Sequence, residues 1–165
     1  MPLLIKNGQH CTDPWLPLAD DATLPATGAY ILSLARLESE SDDLDAYRGE
    51  LGVRLSPDID VTRLLPWLSR LALISIDIAH FSDGRAYSQA TLLREQMGYR
   101  GELRACGDVI QDTVYYQQRC GFDALALRDD QDVDACIRAL RTFTHPYQAS
   151  VATPMLFQRI QRQQR

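Results

Sequence analysis

Short apolar runs alternate with helical patterns along most of this chain. The clearest run, Leu73 to Ile78, is apolar at nearly every position, as expected for a central strand covered on both faces. Similar runs at Tyr30 to Ala35, Leu51 to Leu55, Glu102 to Cys106 and Phe122 to Leu127 predict further strands. We therefore predict an α/β fold with a mostly parallel sheet of about five strands, built from consecutive βα units with right-handed crossovers. The pattern fits both an open, Rossmann-like sheet and a partial βα barrel.

The stretches between these runs carry helical periodicity. Asp60 is predicted to cap a helix that Pro66 kinks or splits, and Asp132 is predicted to cap the last helix. Gly98 and Gly121 follow two other helical patterns and are predicted to end them. The positions predicted to face the core are Ala86, Ala90, Leu93 and Met97 in one helix, Val109, Thr113, Tyr116 and Cys120 in the next, and Val133, Cys136, Ile137, Leu140 and Phe143 in the last.

The two ends of the chain differ from its middle. An Asn7-Gly8 pair near the N-terminus favours a small hairpin between Leu3 to Ile5 and Gln9 to Cys11. The rest of this proline-rich segment is predicted to be an irregular arm that lies over the domain, and the C-terminal tail is predicted to be either a frayed end or a short amphipathic helix for a partner. The predicted divisions are an N-terminal arm at 1–27, an α/β domain at 28–148 and a tail at 149–165.

Composition and charge narrow the class of protein. The 165 residues are 45% hydrophobic and 24% charged, which is typical of a globular domain and not of a disordered chain. A net charge of −5 does not favour binding to nucleic acid or to an anionic membrane, and no apolar run approaches the length needed to span a bilayer. The N-terminus lacks the apolar core of a secretion signal, so we expect a cytoplasmic protein whose cysteines stay reduced.

Known cofactor motifs are absent from the sequence. The nine glycines form neither the dinucleotide fingerprint nor a P-loop, and the four cysteines contain no C-x-x-C pair of the kind that binds zinc or iron-sulfur clusters. Lys6 is the only lysine, so covalent lysine chemistry would depend on one residue near the terminus. We therefore expect no cofactor and no metal, and the motifs leave open whether the protein is an enzyme.

Polar side chains gather after three of the predicted strands. In parallel α/β sheets, ligands bind at the carboxyl ends of the strands, where the N-termini of the following helices also point. In the functional interpretation, Arg85 and the amides after Gly84 hold an anion, and Asp77 or Asp83 orients the arginine or serves as a base. The candidate ligand-binding residues are Asp77, His80, Asp83, Gly84 and Arg85 after the first strand, Gly107 and Asp108 after the second, and Arg128 after the third.

These loops also have purely structural interpretations. Cys106 ends one of the strands and is either a buried, inert thiol or a thiol whose pKa is lowered by the helix N-terminus that follows. For the other residues, the structural interpretation is that Asp83 and Asp108 cap helices, Gly84 makes a turn, Arg85 pairs with an exposed acid and His80 is a surface histidine.

Three sequence motifs carry a resemblance to a known family. They are D-G-R-A-Y-S at Asp83 to Ser88, G-E-L-R-A-x-G-D-V at Gly101 to Val109, and R-C-G-F-D-A at Arg119 to Ala124. Through them, the region from Gly28 to Gln148 resembles the bacterial family catalogued as domain of unknown function 934. Members are typically encoded beside assimilatory sulfite reductase and are sometimes labelled probable oxidoreductases. The resemblance therefore implies a role in sulfate or sulfite assimilation.

Three functions are compatible with these observations. The first is an accessory protein of assimilatory sulfite reduction, which docks on sulfite reductase or on its electron donor and has no redox cofactor of its own. The second is a small enzyme that binds an anionic substrate, with Arg85 as the anchor and Asp77, Asp83 or Asp108 as acid or base. The third is a purely structural subunit with a broad apolar surface and no pocket at the strand ends.

Overall fold

The computed structural model describes residues 3–40, 44, 46–143 and 149–151. These residues form an α/β structure with one curled, mixed sheet. The predicted helix stop at His145-Pro146 and most of the predicted tail lie outside the described residues.

The sheet contains eight strands, and helices connect the strands of its central part. The strands are β1 (Leu3–Lys6), β2 (Gln9–Cys11), β3 (Leu16–Pro17), β4 (Ala29–Ser33), β5 (Glu50–Leu55), β6 (Leu71–Ile78), β7 (Glu102–Gly107) and β8 (Ala124–Leu127). The described helices are α1 (Leu34–Ser39), α2 (Arg85–Glu95), α3 (Gln111–Cys120) and α4 (Val133–Leu140), and a 3₁₀ helix spans Val61–Leu64.

The strands β3 to β8 run parallel and lie side by side in the order in which they occur along the chain. Every crossover therefore steps in the same direction, and right-handed crossovers place the intervening helices on one face of the sheet. A Rossmann-like sheet instead reverses its strand order and carries helices on both faces. The observed order has no such reversal, so the curled sheet differs from a Rossmann-like one.

The N-terminal segment extends the sheet, so the count of about five strands is corrected. Residues 12–27 contain no helix or strand apart from Leu16–Pro17, in line with the predicted irregular arm. The hairpin favoured by Asn7-Gly8 is present, and its first strand β1 pairs antiparallel with β8. The short strand β3 adds a parallel partner to β4. Leu4 and Ile5 are each 1% exposed, so β1 buries side chains on both faces while it covers the edge of β8. The strand count was too low because this pairing joins distant parts of the chain.

The two faces of the sheet pack against different surroundings. Side chains that face the helices, such as Val53 and Ile76, join one large apolar core with α1 to α4. Side chains at the alternate positions face the concave side, where Leu4, Ala124 and Ala126 form a separate small cluster. Elsewhere on the concave side, charged and polar side chains of the central strands lie among apolar ones, and this surface holds the candidate site.

The predicted helix caps are confirmed, but one predicted helix is shorter than expected. Asp60 and Asp132 accept hydrogen bonds from the amides of Thr62 and Ala135, as N-cap residues do. After Asp60 the chain forms only the 3₁₀ helix followed by turns. Pro66 is the reason, because it has no N–H group to continue a helical hydrogen-bond pattern.

The helix α3 buries a different face from the one that its sequence predicts. Its buried side chains are Val114 and Gln117, whereas Tyr116 is 56% exposed. The helix begins later than predicted, so Val109 is buried in the preceding loop and does not set the phase of the helical stripe. Phe143 was also predicted to face the core, but it lies beyond the end of α4 and is exposed.

Candidate functional site

Charged and polar side chains occupy the concave side of the central strands. Successive side chains of a strand point to opposite faces, so the residues between the apolar core positions of β5, β6 and β7 all point to this side. They form two rows across the sheet: Arg54, Ser75 and Arg104 are register partners in the first, and Asp77 and Cys106 are partners in the second. The sheet thus brings two guanidinium groups, a carboxylate, a hydroxyl and a thiol to one surface.

Arg104 is the most buried charged group on this surface. Its side chain is 4% exposed and donates hydrogen bonds to Glu102, whose carboxylate also pairs with Lys6 at 2.6 Å. On its other side Arg104 pairs with Asp13 of the N-terminal segment, at 2.8 Å from Nη1 and 3.0 Å from Nη2. Burial opposes the charge of Arg104, but the hydrogen bond to Asp13 and the nearby Glu102 raise its pKa.

Asp77 connects the two rows. It accepts two hydrogen bonds of 2.9 Å from Nε of Arg54 and one of 2.8 Å from the thiol of Cys106. The hydroxyl of Ser75 lies 3.1 Å from the same sulfur. Burial, followed by the negative charge of Asp77, raises the pKa of Cys106 to about 12. The thiol therefore acts as a hydrogen-bond donor. The prediction that a helix N-terminus lowers the pKa of Cys106 is wrong, because α3 begins only at Gln111.

Residues of the N-terminal segment lie over part of this surface and border a partly open cavity of about 520 Å³. The ring of Trp15 lies over Gly52, where a Cβ would come within 3.1 Å of the ring atom Cζ3. Trp15 is 6% exposed, and its amide donates to Asp13 at 3.1 Å. Arg54, Arg104 and Arg128 bring guanidinium groups to the cavity, and its apolar walls include Trp15, Leu16, Pro17, Ile31 and Ala126.

A second cavity of about 540 Å³ lies at the carboxyl ends of the strands and shares Arg54, Gly107 and Arg128 with the first. Asp108 organises this rim, because its carboxylate accepts hydrogen bonds from the amide of Phe81 at 2.8 Å and from Arg128 at 2.6 Å. Gly107 has a φ of 93°, and a Cβ there would lie 2.5 Å from a backbone carbonyl oxygen of β6. The two cavities are therefore neighbours, one beside Trp15 and the other at the strand ends.

A family profile matches residues 52–157, a region that begins in β5 and extends beyond α4. The profile is described as "Bacterial protein of unknown function (DUF934)". The chain belongs to this family. A search of curated proteins found no match. In this DUF934 protein, Arg54, Asp77 and Arg104 lie within the matched region, whereas Asp13 and Trp15 precede it.

Four of the predicted site residues meet at the rim of this DUF934 protein. Asp77, Gly107, Asp108 and Arg128 all line the second cavity. Asp108 does not cap α3, as its structural interpretation required, because the N-cap position belongs to Ile110. The carboxylate of Asp108 instead joins the loops that follow β6 and β8.

The other predicted residues form a separate surface cluster before α2. Arg85 pairs with Asp83 at 2.7 Å, and its hydrogen bonds lower the pKa of Asp83 to about 2. Nδ1 of His80 lies 2.8 Å from the hydroxyl of Ser82, and Gly84 occupies the N-cap position of α2. His80, Asp83, Gly84 and Arg85 line neither of the two cavities. Arg85 is therefore not placed to anchor a ligand there.

The most buried part of the site was not predicted from the sequence. Arg54, Ser75 and Arg104 carried a signal, because polar residues at every second position of a parallel strand mark a face outside the apolar core. No local pattern relates Asp13 or Trp15 to the sheet, since Asp13 and its partner Arg104 are 91 positions apart.

All four cysteines are free thiols. In the ranges that the structure describes, no group of three or more His, Cys, Asp or Glu side chains is arranged to hold a metal ion. None of the helices in those ranges has the length and apolar character needed to cross a membrane.

Proposed function

We propose that this protein binds a small organic anion in the cavity on the concave side of its sheet. The observation that carries the proposal is the meeting of Arg54, Arg104 and Arg128 around a largely apolar cavity beneath Trp15. Apolar cavities with a few convergent polar groups are the usual sites of small-molecule binding. Guanidinium groups in such a cavity favour a ligand that carries a carboxylate, a sulfonate or a related anionic group.

The buried charges on the concave side also support the proposal. The inner side of a βα barrel is ordinarily filled by branched apolar side chains. Replacing a buried ion pair with apolar residues of similar size is often neutral or stabilising. Arg104 and Glu102 nevertheless place a nearly unexposed ion pair at these positions. Because Arg104 also lines the cavity, we take this placement of charge as support for a role in binding.

Arg54 has hydrogen-bond donors that an anion in the cavity could use. Both hydrogen bonds of Arg54 use Nε, so its two terminal nitrogens have no acceptor among the described residues. Its side chain is 59% exposed and lines both cavities. Arg128 donates to Asp108 and Asp130, which fixes its orientation. If the ligand is also a substrate, Asp77 and Asp108 are the carboxylates that would serve as acid or base.

Isothermal titration calorimetry with sulfite, sulfate and naphthalene-2-sulfonate tests this proposal. We expect at least one of these anions to bind, and Arg54→Ala to weaken binding about tenfold or more through loss of charge-assisted hydrogen bonds. Arg63→Ala is the matched control, because Arg63 is an exposed arginine that pairs with Glu38 and lines neither cavity. Arg85→Ala should also leave the affinity unchanged. No binding of any probe, or an equal loss in all three variants, would exclude the proposal.

We further propose that this binding serves assimilatory sulfite reduction. The support is the resemblance described above, whose implication is a gene beside that of sulfite reductase, together with the three guanidinium groups that line the cavity. In this proposal the protein is a cytoplasmic accessory that docks on the reductase or on its electron donor, and a sulfur-containing anion is its ligand.

Growth and co-purification experiments test this metabolic role. A strain lacking the gene should grow more slowly on sulfate or sulfite than on cysteine, and the wild-type gene should restore growth better than Arg54→Ala. Affinity purification from cells grown on sulfate should recover sulfite reductase or its electron donor. Unimpaired growth together with purification of neither partner would rule the role out.

A further inference from the structure

Asp13 occupies Arg104 in the way that a ligand carboxylate would. Its two oxygens accept hydrogen bonds of 2.8 and 3.0 Å from the two terminal nitrogens of Arg104. This paired geometry is the one by which a guanidinium group recognises carboxylates and related anions. Asp13 also accepts the amide of Trp15 at 3.1 Å. Three N–H donors therefore converge on one carboxylate at the wall of the cavity.

The other contacts of Arg104 would hold it in place if Asp13 moved away. Glu102 accepts hydrogen bonds from Nε at 2.9 Å and from Nη2 at 2.7 Å, and it is itself paired with Lys6. Glu102 and Arg104 both belong to β7, whereas Asp13 lies in a stretch without helix or strand between β2 and β3. Of the two carboxylates on Arg104, Asp13 is therefore the one that is able to exchange.

We propose that Asp13 is an internal occupant of the anion subsite, and that the carboxylate or sulfonate of a ligand replaces it at Arg104. This inference rests on the proposed binding function and names its ligand class, an organic carboxylate or sulfonate whose apolar body lies against Trp15 and Ile31. Exchanging one anion for another keeps Arg104 compensated and avoids an unpaired buried charge. Release of Asp13 also changes the acceptor of the Trp15 amide, so ligand binding alters the N-terminal cover of the cavity.

The competing interpretation is that Asp13 only ties the N-terminal segment to the sheet. The two interpretations differ in the effect of removing the charge of Asp13. If Asp13 competes with the ligand, Asp13→Asn raises the affinity. If Asp13 is only a tie, the same substitution lowers stability and leaves the affinity unchanged or weaker.

Calorimetric titration of Asp13→Asn with naphthalene-2-sulfonate and naphthalene-2-carboxylate separates these interpretations. We expect about tenfold tighter binding than in the wild type, because a charged competitor for the guanidinium has been removed. The relative gain for the two probes shows whether sulfonate or carboxylate is preferred. Asp20→Asn is the matched control, since Asp20 lies in the same segment but accepts a hydrogen bond from Ser33 and does not line the cavity. Neutral 2-naphthalenemethanol should show no gain.

A second measurement decides the matter even if Asp13→Asn does not fold. In the wild type, the NMR signal of the Trp15 amide should shift on titration with naphthalene-2-sulfonate. Arg104→Lys, which keeps the charge but loses the paired geometry, should bind at least about tenfold more weakly. Binding that depends on Arg54 but shows neither effect, with no gain in Asp13→Asn, would overturn this inference and leave the proposed function intact. Absence of binding in every protein would overturn both.

Discussion

Cys106 shows how the surroundings of one side chain decide its chemistry. Its thiol lies beside a carboxylate and a hydroxyl in a cavity, which is where a reactive cysteine is often found. Burial and the charge of Asp77 instead raise its pKa to about 12, so almost no thiolate exists at neutral pH. The thiol contributes by donating to Asp77, which also accepts from Arg54. In this structure Cys106 is a neutral thiol that donates a hydrogen bond to Asp77.

We expect Cys106 to react slowly with iodoacetamide. Because its pKa is about 12 instead of 9.0, its thiolate fraction at pH 8 is lower by about 10³-fold. Asp77→Asn removes the charge that helps to raise the pKa and should accelerate labelling of Cys106, with Cys11 as the reference in the same protein. Peptide mass spectrometry measures both rates. Labelling of wild-type Cys106 at the rate of a free thiol would disprove this description of the cavity.

The strand β5 positions the N-terminal segment through a single glycine. Gly52 leaves space for the ring of Trp15, and its register partner Leu73 fills the neighbouring position. Trp15 follows Asp13 closely in the chain and donates its amide to the carboxylate of Asp13. The packing contact on β5 therefore lies next to the ion pair that joins Asp13 to Arg104 on β7.

Gly52→Val should displace Trp15 from the sheet. A Cβ at this position would lie 3.1 Å from Trp15 and 3.2 Å from Leu73, and such overpacking typically costs about 1–3 kcal/mol of unfolding free energy. In a Trp67→Phe background, the emission of Trp15 should shift to the red as the ring becomes exposed. Gly84→Val is the control, because no atom lies within 4 Å of a Cβ there. Unchanged emission in Gly52→Val would show that the ring does not depend on this glycine.

The sequence predicts the positions of strands and helices well where a local pattern of residues determines them. The five central strands are found at the predicted places, and Asp132 and Gly121 bound their helices as expected. The prediction fails where a distant contact decides. The predicted core face of α3 was counted from Val109, but Val109 lies in the loop before the helix. The helix instead buries the face that carries Val114. Likewise, nothing near β1 in the sequence identifies β8 as its partner.

Taken together, the strands form one curled sheet that the N-terminal hairpin completes. The strand β1 pairs with β8, although the two come from distant parts of the sequence. Its side chains are buried on both faces of the sheet: Ile5 in the large core on the helix side, and Leu4 in the small cluster on the concave side. The hairpin lies outside the region matched by the DUF934 profile. Its buried side chains nevertheless make it part of the same folding unit as the matched region.

Ile5→Ala should lower the free energy of unfolding by about 2–5 kcal/mol, because it leaves a cavity in the shared core. Leu65→Ala is the control, since Leu65 is 59% exposed and its truncation leaves no cavity. Urea unfolding followed by circular dichroism measures both losses. A loss for Ile5→Ala no larger than that for the control would mean that the hairpin is not part of the cooperative core.

The candidate site divides into a part that the sequence predicts and a part that it does not. The rule for strand ends identifies Asp77, Gly107, Asp108 and Arg128, which meet at the rim. The buried part depends on strand order and register, which place separate polar positions of β5, β6 and β7 on one surface. It also depends on the pair of Asp13 with Arg104, which only the folded chain brings together.

Titration of the ¹⁵N-labelled protein with naphthalene-2-sulfonate shows directly whether the ligand site lies on the concave side. We predict that most of the amide signals that move will belong to the polar residues on the concave side of β5, β6 and β7 and to the N-terminal segment that lies over them. Few signals of α2 and α3 should change. The amides expected to shift most are those of Trp15, Arg54, Ser75 and Cys106. Shifts confined to the helix side of the sheet, or no shifts at saturating concentrations of the probe, would contradict this location.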